Sequence, residues 1–211
     1  MTTAYSFNQT FFDDMELPVD NRIGEENDGW RLAKVTLGNE RVSLSGEGAL
    51  WGSGPSASDL VDLIRAAGGI SEPTLRDRTV QLHIEGEVLR LIRLRTLTAQ
   101  LQGRQPGPEA SVRKALADEH GQNVMQLAKD LTGTHGMLTD HGPLGGSPQF
   151  PVTHAVVEGW QSWHGGFLFS PALTIGGGTS EVQRNIVAER VLGLPHDIDI
   201  QAGQSWSETR A

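Results

Sequence analysis

Apolar residues recur every three or four positions along most of the chain, the spacing of one helix face. The pattern predicts helices from residue 25 towards residue 50, over 58–67, over 74–101 and over 112–131. Glycines at positions 68, 103 and 133 follow the last three stretches, where a helix commonly ends. The apolar positions of the first stretch are Trp30, Ala33, Leu37, Leu44 and Leu50, and those of the second are Leu60, Leu63 and Ile64.

A further helix is predicted near the carboxyl end. Ser180 and Gln183 have the S-x-x-Q spacing of a capping box, in which each side chain bonds the other residue's free amide. Gly193 and Pro195 follow in the order that ends helices. Residues 133–178, rich in Gly, Pro and His, have no assignment.

The first two dozen residues follow another pattern. An aromatic-rich run predicts an extended segment that leads into a loop. Its aromatic residues are Tyr5, Phe7, Phe11 and Phe12. A lone strand needs partner strands, and the remaining sequence hardly offers any. We therefore predict an all-α, up-and-down helical bundle over 25–197, with a short N-terminal extended segment over 1–24 and a disordered tail over 198–211.

Composition narrows the functional classes. The formal charge of −9 is unlike the basic face of nucleic-acid binders. The absence of cysteine excludes disulfides, thiolate catalysis and thiolate metal sites. No apolar run approaches the roughly 18 residues of a membrane span, and the N-terminus lacks the order of a signal peptide. The expectation is a soluble, cytoplasmic protein.

Two segments carry a specific resemblance. Residues 23–30 read Ile-Gly-Glu-Glu-Asn-Asp-Gly-Trp and are followed at 37–41 by Leu-Gly-Asn-Glu-Arg. Residues 176–190 read Gly-Gly-Gly-Thr-Ser-Glu-Val-Gln-Arg-Asn-Ile-Val-Ala-Glu-Arg, with Leu-Gly-Leu-Pro closing at 192–195. In this order and separation they resemble the acyl-CoA dehydrogenase family.

The resemblance implies a domain plan. In that family a helical N-terminal domain and a β domain precede a helical C-terminal bundle. Phe7-Asn8 and 11–14 resemble the last strand of the β domain, so residues 1–24 would be its remnant. A truncated gene, a misplaced start codon or a fragment would each produce such a chain.

The resemblance also implies a catalytic base. The family reaction removes the α proton of an acyl-CoA with a glutamate, which many relatives carry at the position of Gly177 here. Other branches use the Glu of a Glu-Arg pair on the first bundle helix, which is Glu40-Arg41 in this chain. Glu40 also falls at the helical spacing of Trp30 and Leu37. Glu40 is the predicted base and Arg41 a substrate-binding residue; a structural ion pair at Glu40 and an exposed Arg41 are the alternatives.

FAD is the implied cofactor, bordered by Gly178, Thr179, Ser180 and Glu181. The sequence at 133–136 is a weaker match to the family's glycine turn that meets flavin across a dimer. An Arg-x-x-Phe-Gly segment, with which many relatives contact the adenosine half of FAD, is absent from the sequence. The implied partners are acyl-CoA, an electron-transferring flavoprotein as acceptor, and further dehydrogenase subunits in a homo- or hetero-oligomer.

Other side chains have simpler interpretations. His135 and His141 lack further ligands at a suitable spacing, so no metal site is predicted. His120 reads as a core or interface histidine. We expect packing or interface roles for Trp51, Trp160 and Trp163. A solvated or salt-bridged face is expected for Arg90, Arg93 and Arg95. Two hypotheses remain: an acyl-CoA dehydrogenase working within a longer product or with a complementary subunit, and a non-catalytic remnant or assembly partner.

Overall fold

The computed structural model describes residues 9–43, 48–52, 54–66, 68–104, 107–132, 163–198 and 203–204. The helices in these ranges are α1 (Gly29–Ser43), α2 (Ala57–Ala66), α3 (Pro73–Leu101), α4 (Glu109–Thr132), α5 (Trp163–Phe169) and α6 (Ser180–Ile186). A 3-10 turn, Ser170–Thr174, follows α5, and a wider π-type turn, Val187–Val191, follows α6. The described ranges hold no β-strand, and the predicted all-α fold is confirmed.

Helix α4 is the centre of the bundle and contacts each of the other five helices. Its inward face comprises residues 114, 118, 121, 125 and 128, which advance by four, three, four and three and are all buried. The first half of this face is polar, with Lys114 and Asp118, and the second half is apolar. The central helix therefore contributes both to the apolar core and to a buried polar region.

The apolar core surrounds the second half of α4. Val124, Met125 and Leu127 are fully buried there and pack against α2 and Trp163. Leu60, Leu63 and Ile64 of α2 face inward, as their spacing predicts. The helix ends before Gly68 and Gly69, which both have positive φ angles.

The side of α3 that is buried is not the side that carries most of its large apolar residues. Its buried positions are Thr79, Leu82 and Leu89. Seven large apolar residues lie exposed instead, along what we call the α3 stripe: Val80, Ile84, Val88, Leu91, Leu94, Leu97 and Leu101. Since α2 and α4 cover one side of the long helix, the described residues leave its other apolar side bare.

The prediction that Leu50 belongs to the first helix is wrong. Helix α1 ends at Ser43, and Leu50 lies in a tight turn closed by a hydrogen bond from the Gly52 amide to the Gly48 carbonyl, 3.3 Å. Leu50 is nevertheless fully buried, because this turn packs directly on α4. A Cβ at Gly121 would lie 2.1 Å from the carbonyl oxygen of Ala49, so only glycine allows this approach.

The segment before α1 stays on the surface. Residues 9–18 adopt no regular element, and Val19–Asn21 form one 3-10 turn. Phe11, Phe12 and Ile23 are exposed. Tyr5 and Phe7 lie outside the described residues. The assignment of 1–24 to a β domain stays a prediction, and so do the predicted boundaries of the bundle and the tail. None of the helices described is long and apolar enough to cross a bilayer.

Two glycines inside helices give a matched test of the packing on α4. We expect Gly121→Ala to destabilise the chain by at least about 1–3 kcal/mol, because its methyl group would overlap the Ala49 backbone. Gly86→Ala places its methyl at ordinary contact distances, 3.6 Å or more, and should stabilise the chain by up to about 1 kcal/mol. Urea denaturation measures both changes. A Gly121→Ala chain as stable as the original would contradict the packing described.

Candidate active site

A glycine turn, residues 176–179, connects the 3-10 turn after α5 to α6. The ring of Trp51 packs against Gly176, and Trp51 itself meets Phe169 edge-to-face with the ring centroids 5.3 Å apart. Gly178 has a φ of +101°, a conformation that favours glycine. The side-chain Nε2 of Gln183 donates to the Gly177 carbonyl at 3.1 Å. The turn is therefore fixed from two sides.

The helix cap lies one residue earlier than predicted. Thr179 is the N-cap of α6, and its hydroxyl accepts a hydrogen bond from the Val182 amide at 3.4 Å. Ser180 is the first helical residue and is buried, so the predicted Ser180–Gln183 capping box is wrong. The Gln183 side chain is unavailable for a box because it is buried and bonded to the glycine turn.

Lys114 of α4 binds the glycine turn from inside the bundle. Its Nζ donates to the carbonyl of Leu173 and to the carbonyl of Gly178, each at 3.2 Å, and to the carboxylate of Asp118. Both members of the Lys114–Asp118 pair are almost completely buried. An ammonium has three N–H donors, and all three have an acceptor here. The buried charge is thus fully hydrogen-bonded, which is the condition for burying it at all.

Asp118 titrates in an unusual range. Burial raises the pKa of its carboxyl to about 6, against the opposing hydrogen bond and positive charge of Lys114. Loss of water around a carboxylate penalises the charged form, and here this effect exceeds the attraction of the partner. Asp118 therefore exchanges its proton about two pH units above an ordinary aspartate.

The predicted base and its neighbour lie on α1. Glu40 is exposed, as are Trp30 and Leu37, so the described residues do not cover the face that these three share. The side chain of Arg41 is not among those that the structure describes. Helix α1 packs on α4, the helix that holds the glycine turn. The role of Glu40 and Arg41 stays a prediction.

The predicted cofactor residues lie together at the turn. Gly178 and Thr179 are half-buried at its outer end, and Glu181 is exposed beside them. The pKa of Glu181 is lowered, first by a hydrogen bond from its own backbone amide and then by one from Thr179, so this carboxylate stays ionised. Ser180 points inward, and its Oγ is buried without a hydrogen-bond partner in the described part of the chain. The turn thus presents backbone, Thr179 and Glu181 outward.

The comparisons with known proteins identify the fold and the family together. The sequence profile described as "Acyl-CoA dehydrogenase, C-terminal domain" matches residues 27–192. The chain belongs to the acyl-CoA dehydrogenase family. The match covers α1 to α6, so the family's C-terminal domain is the helical bundle described above.

Curated relatives are about twice as long as this chain. Acyl-CoA dehydrogenase IpdE1 of Mycolicibacterium smegmatis is 33% identical over 199 residues, which are 94% of this chain and 45% of that protein. Acyl-CoA dehydrogenase FadE26 of Mycobacterium tuberculosis is 31% identical, over 88% of this chain and 45% of its own length. The chain thus spans less than half of each of these two relatives.

Solved structures agree on the fold. The ChsE4-ChsE5 complex from Mycobacterium tuberculosis superposes with a TM-score of 0.64 at 28% identity, covering 85% of this chain and 44% of that one. The Tcur3481-Tcur3483 steroid acyl-CoA dehydrogenase (ACAD) superposes with a TM-score of 0.67 at 21% identity, covering 89% and 45%. Each of these two structures is named for a pair of proteins, and the fold of this chain is similar to that of one chain in each.

Several other predicted residues can now be placed. His120 is buried in the bundle, as predicted for a core histidine, and Trp51 and Trp163 pack internally. Arg90 pairs with Glu87 at 2.9 Å on the surface of α3. Arg93 is half-buried, and both Arg90 and Arg93 line a cavity, so the basic cluster is not wholly a solvated face. His135, His141, Trp160 and the segment 133–136 lie outside the described residues, and no group of metal-binding side chains occurs within them.

Sequence reasoning missed Lys114 and Asp118. A signal was present, since residues 114, 118, 121, 125 and 128 repeat at helical spacing and mix polar with apolar side chains. A lysine and an aspartate four residues apart normally form an exposed pair on a helix, so this spacing does not indicate burial. Their burial becomes visible only when α6 and the glycine turn are packed on α4.

The unusual titration of Asp118 is testable directly. We expect its carboxyl ¹³C signal to titrate near pH 6, with Asp118→Asn assigning the signal by its loss. Because its pKa is raised on folding, this carboxyl favours the folded state fully below about pH 4, and the contribution is lost as pH rises through about 6. Lys114→Met should raise the midpoint further, since Lys114 lowers it. A midpoint near 4 would contradict the buried geometry.

Proposed function

We propose that this chain is part of an acyl-CoA dehydrogenase, working within a longer product or with a complementary subunit. The observation that carries the proposal is the family match over 27–192, which includes the Glu40-Arg41 pair on α1 and the glycine turn before α6. The reaction would be the FAD-dependent α,β-dehydrogenation of an acyl-CoA thioester. An electron-transferring flavoprotein would be the acceptor.

In this reaction Glu40 would act on the substrate's α carbon. A carboxylate oxygen of Glu40 takes the α proton, and the electron pair of that C–H bond forms the Cα–Cβ double bond. FAD, when bound, supplies the acceptor for the hydride that leaves the β carbon. Arg41, next to the base, would help to orient the thioester.

The glycine turn would meet the flavin at its outer end. The missing side chains at Gly176 and Gly178 leave room for Trp51 and Gln183 of this chain, so the inner side of the turn is already covered. Gly178, Thr179 and Glu181 are accessible at the outer end of the turn and would hold the cofactor there. Ser180 would act indirectly, because its side chain is buried on the inner side. Lys114 and Gln183 would keep the turn in place through their bonds to its carbonyls.

The exposed surface of α1 supports an assembly. A glutamate that removes a weakly acidic C–H proton works best in a dry site, because loss of water strengthens its attraction for the proton. Glu40 is exposed here together with Trp30, whose side chain is 73% accessible. A second protein surface over this face would bury both the base and the apolar residues beside it.

The α3 stripe supports an oligomer independently. Its seven apolar residues are each between 42% and 81% exposed and follow one side of a 29-residue helix. Contiguous apolar surface of this kind usually marks a protein interface. The similar ChsE4-ChsE5 structure is a complex, and a hetero-oligomer is accordingly our proposal for this chain.

A non-catalytic assembly subunit is the second candidate. Gly177 stands where many relatives carry the base, and a glycine has no group to remove a proton. In that case the bundle would contribute contacts to a partner's site, and Glu40 would have a structural role. The two candidates differ in whether Glu40 reacts.

Absorbance spectroscopy separates activity of the chain alone from activity of an assembly. We expect the purified chain to be colourless, and a complex with a homologue from the same genome that carries the β domain to show a flavin spectrum. Anaerobic addition of mixed acyl-CoAs should bleach the complex. Bleaching of the chain alone would contradict the need for a partner.

Glu40→Gln tests the base within an assembly that is active. Turnover should fall by about 10²–10⁴-fold, the typical contribution of a general base, while FAD stays bound. Glu26→Gln, a change of an exposed glutamate paired with Arg22 ahead of α1, is the matched control and should leave turnover unchanged. Activity that survives Glu40→Gln would place the base elsewhere and favour the assembly-subunit candidate.

A further inference from the structure

Two peptide groups of the glycine turn have their carbonyls held from inside the bundle. Nε2 of Gln183 donates to the Gly177 carbonyl at 3.1 Å, and Nζ of Lys114 donates to the Gly178 carbonyl at 3.2 Å. Lys114 also donates to the carbonyl of Leu173, which precedes the turn, at the same distance. The carbonyls of both peptide groups in the turn therefore point inward, towards side chains of α4 and α6.

The amides of these two peptide groups face the opposite way. A trans peptide is planar, with its N–H antiparallel to its C=O, and the described residues contain no cis peptide. The inward carbonyls of Gly177 and Gly178 thus direct the amides of Gly178 and Thr179 outward. Within the part of the chain that the structure describes, neither amide donates to another group of the protein. The outer end of the turn therefore presents two N–H donors that a ligand could use.

Packing alone does not require the ammonium of Lys114. This lysine and Asp118 also line a cavity of about 450 Å³ between the 48–54 loop, α2, α3 and α4, so the long side chain has space in another direction. A buried ion pair can often be replaced by apolar side chains of similar size without loss of stability. What the ammonium adds is a fixed direction for the carbonyls of Leu173 and Gly178, which an apolar side chain would not provide.

Asp118 commits the ammonium to these two carbonyls. The carboxylate accepts one N–H of Lys114 and supplies the opposite charge from one turn further along α4. An ammonium has only three donors, so the other two are left for Leu173 and Gly178. The direction of the Gly178 carbonyl, and with it that of the Thr179 amide, is thereby set by the central helix.

The charge beside the turn favours an uncharged acceptor for the two amides. The carboxylate of Glu181 is exposed and ionised there. Because like charges repel, it disfavours a phosphate group at this place. The carbonyl oxygens and ring nitrogens of a flavin are uncharged acceptors, so they suit these amides better than the phosphates of FAD do.

We propose that Lys114 is a positioning residue for the flavin. By holding the Gly178 carbonyl inward, Lys114 turns the Thr179 amide outward as a hydrogen-bond donor to the flavin ring. Gln183 does the same for the Gly178 amide. The inference rests on the proposed function, in which the outer end of the turn borders FAD. It adds a role for a side chain that itself contacts neither the cofactor nor the substrate.

Amide hydrogen exchange of the full chain tests the hold on the turn without a cofactor. The double variant Lys114→Met/Asp118→Leu replaces both side chains by apolar ones of similar shape and should keep the urea midpoint of the original. We expect the hydrogen-bonded amides of Gly176 and Gln183, on either side of the turn, to exchange at least about tenfold faster, because two bonds from a charged donor are lost. The amide of Leu60 in α2 should exchange as before.

Flavin fluorescence and absorbance of the FAD-containing complex test the effect on the cofactor. In the double variant the dissociation constant of FAD should rise at least about tenfold, since the amide donors lose their fixed direction. The visible absorption bands of the flavin that stays bound should shift, because they depend on hydrogen bonds to the ring. Lys129→Met is the matched control: this partly buried lysine of the same helix bonds His164 rather than the turn. It should change neither the exchange at the turn nor the binding of FAD.

The outcomes separate this inference from the proposed function. Unchanged exchange at the turn in the double variant would overturn the inference and leave the proposed function intact. Equal acceleration at Leu60 and Gly176 would show a purely structural role and overturn it as well. So would faster exchange at the turn with unchanged FAD affinity and absorption. A failure of the original chain to form any complex that contains FAD would instead contradict the proposed function, and this inference with it.

Discussion

The buried ammonium of Lys114 is the interaction on which the arrangement of the bundle depends. An unpaired charge in the interior would be very costly, so this ammonium requires acceptors on all three of its N–H groups. Asp118 supplies one from the same helix, and the carbonyls of Leu173 and Gly178 supply the others from the far end of the chain. The path of the chain between α5 and α6 is therefore tied to one side chain of the central helix. The buried Lys114–Asp118 pair serves to specify that path. It need not add to the stability of the fold, since apolar side chains in its place could be equally stable.

The same constraint links the glycine turn to the cavity between α2, α3 and α4. Lys114 and Asp118 line the cavity on one side and hold the glycine turn on the other. Gly121, one turn further along α4, admits the loop that carries Trp51, and Trp51 then packs on Gly176. The glycine turn is thus positioned by the central helix directly and through this loop. A substitution in the polar half of α4 would therefore affect the position of the glycine turn through a few contacts.

The outer surfaces belong to a larger protein assembly in our interpretation. The face of α1 with Trp30 and Glu40, the α3 stripe and the segment around Phe11 and Phe12 are all exposed and rich in apolar side chains. The core around Met125 is well buried, so these surfaces are not explained by a poorly formed interior. Their extent agrees with a chain that spans less than half of the relatives to which it is similar.

The sequence by itself determined five of the six described helices and the family, while α5 lies in the range 133–178 that the pattern left unassigned. The periodicity of Leu60, Leu63 and Ile64 predicted both a helix and its buried face, because backbone hydrogen bonds and side-chain spacing act within a few residues. The motifs at 37–41 and 176–190 identified the family, because each motif is a run of neighbouring residues that can be compared without the tertiary structure. Tertiary structure decided which face of α3 is buried, where Leu50 lies and which residue caps α6. Thr179 rather than Ser180 is the cap, and Gln183 bonds Gly177 across the turn instead of completing a box with Ser180. The burial of Lys114 and Asp118 likewise depends on carbonyls some sixty residues away, and no local pattern encodes contacts at that separation.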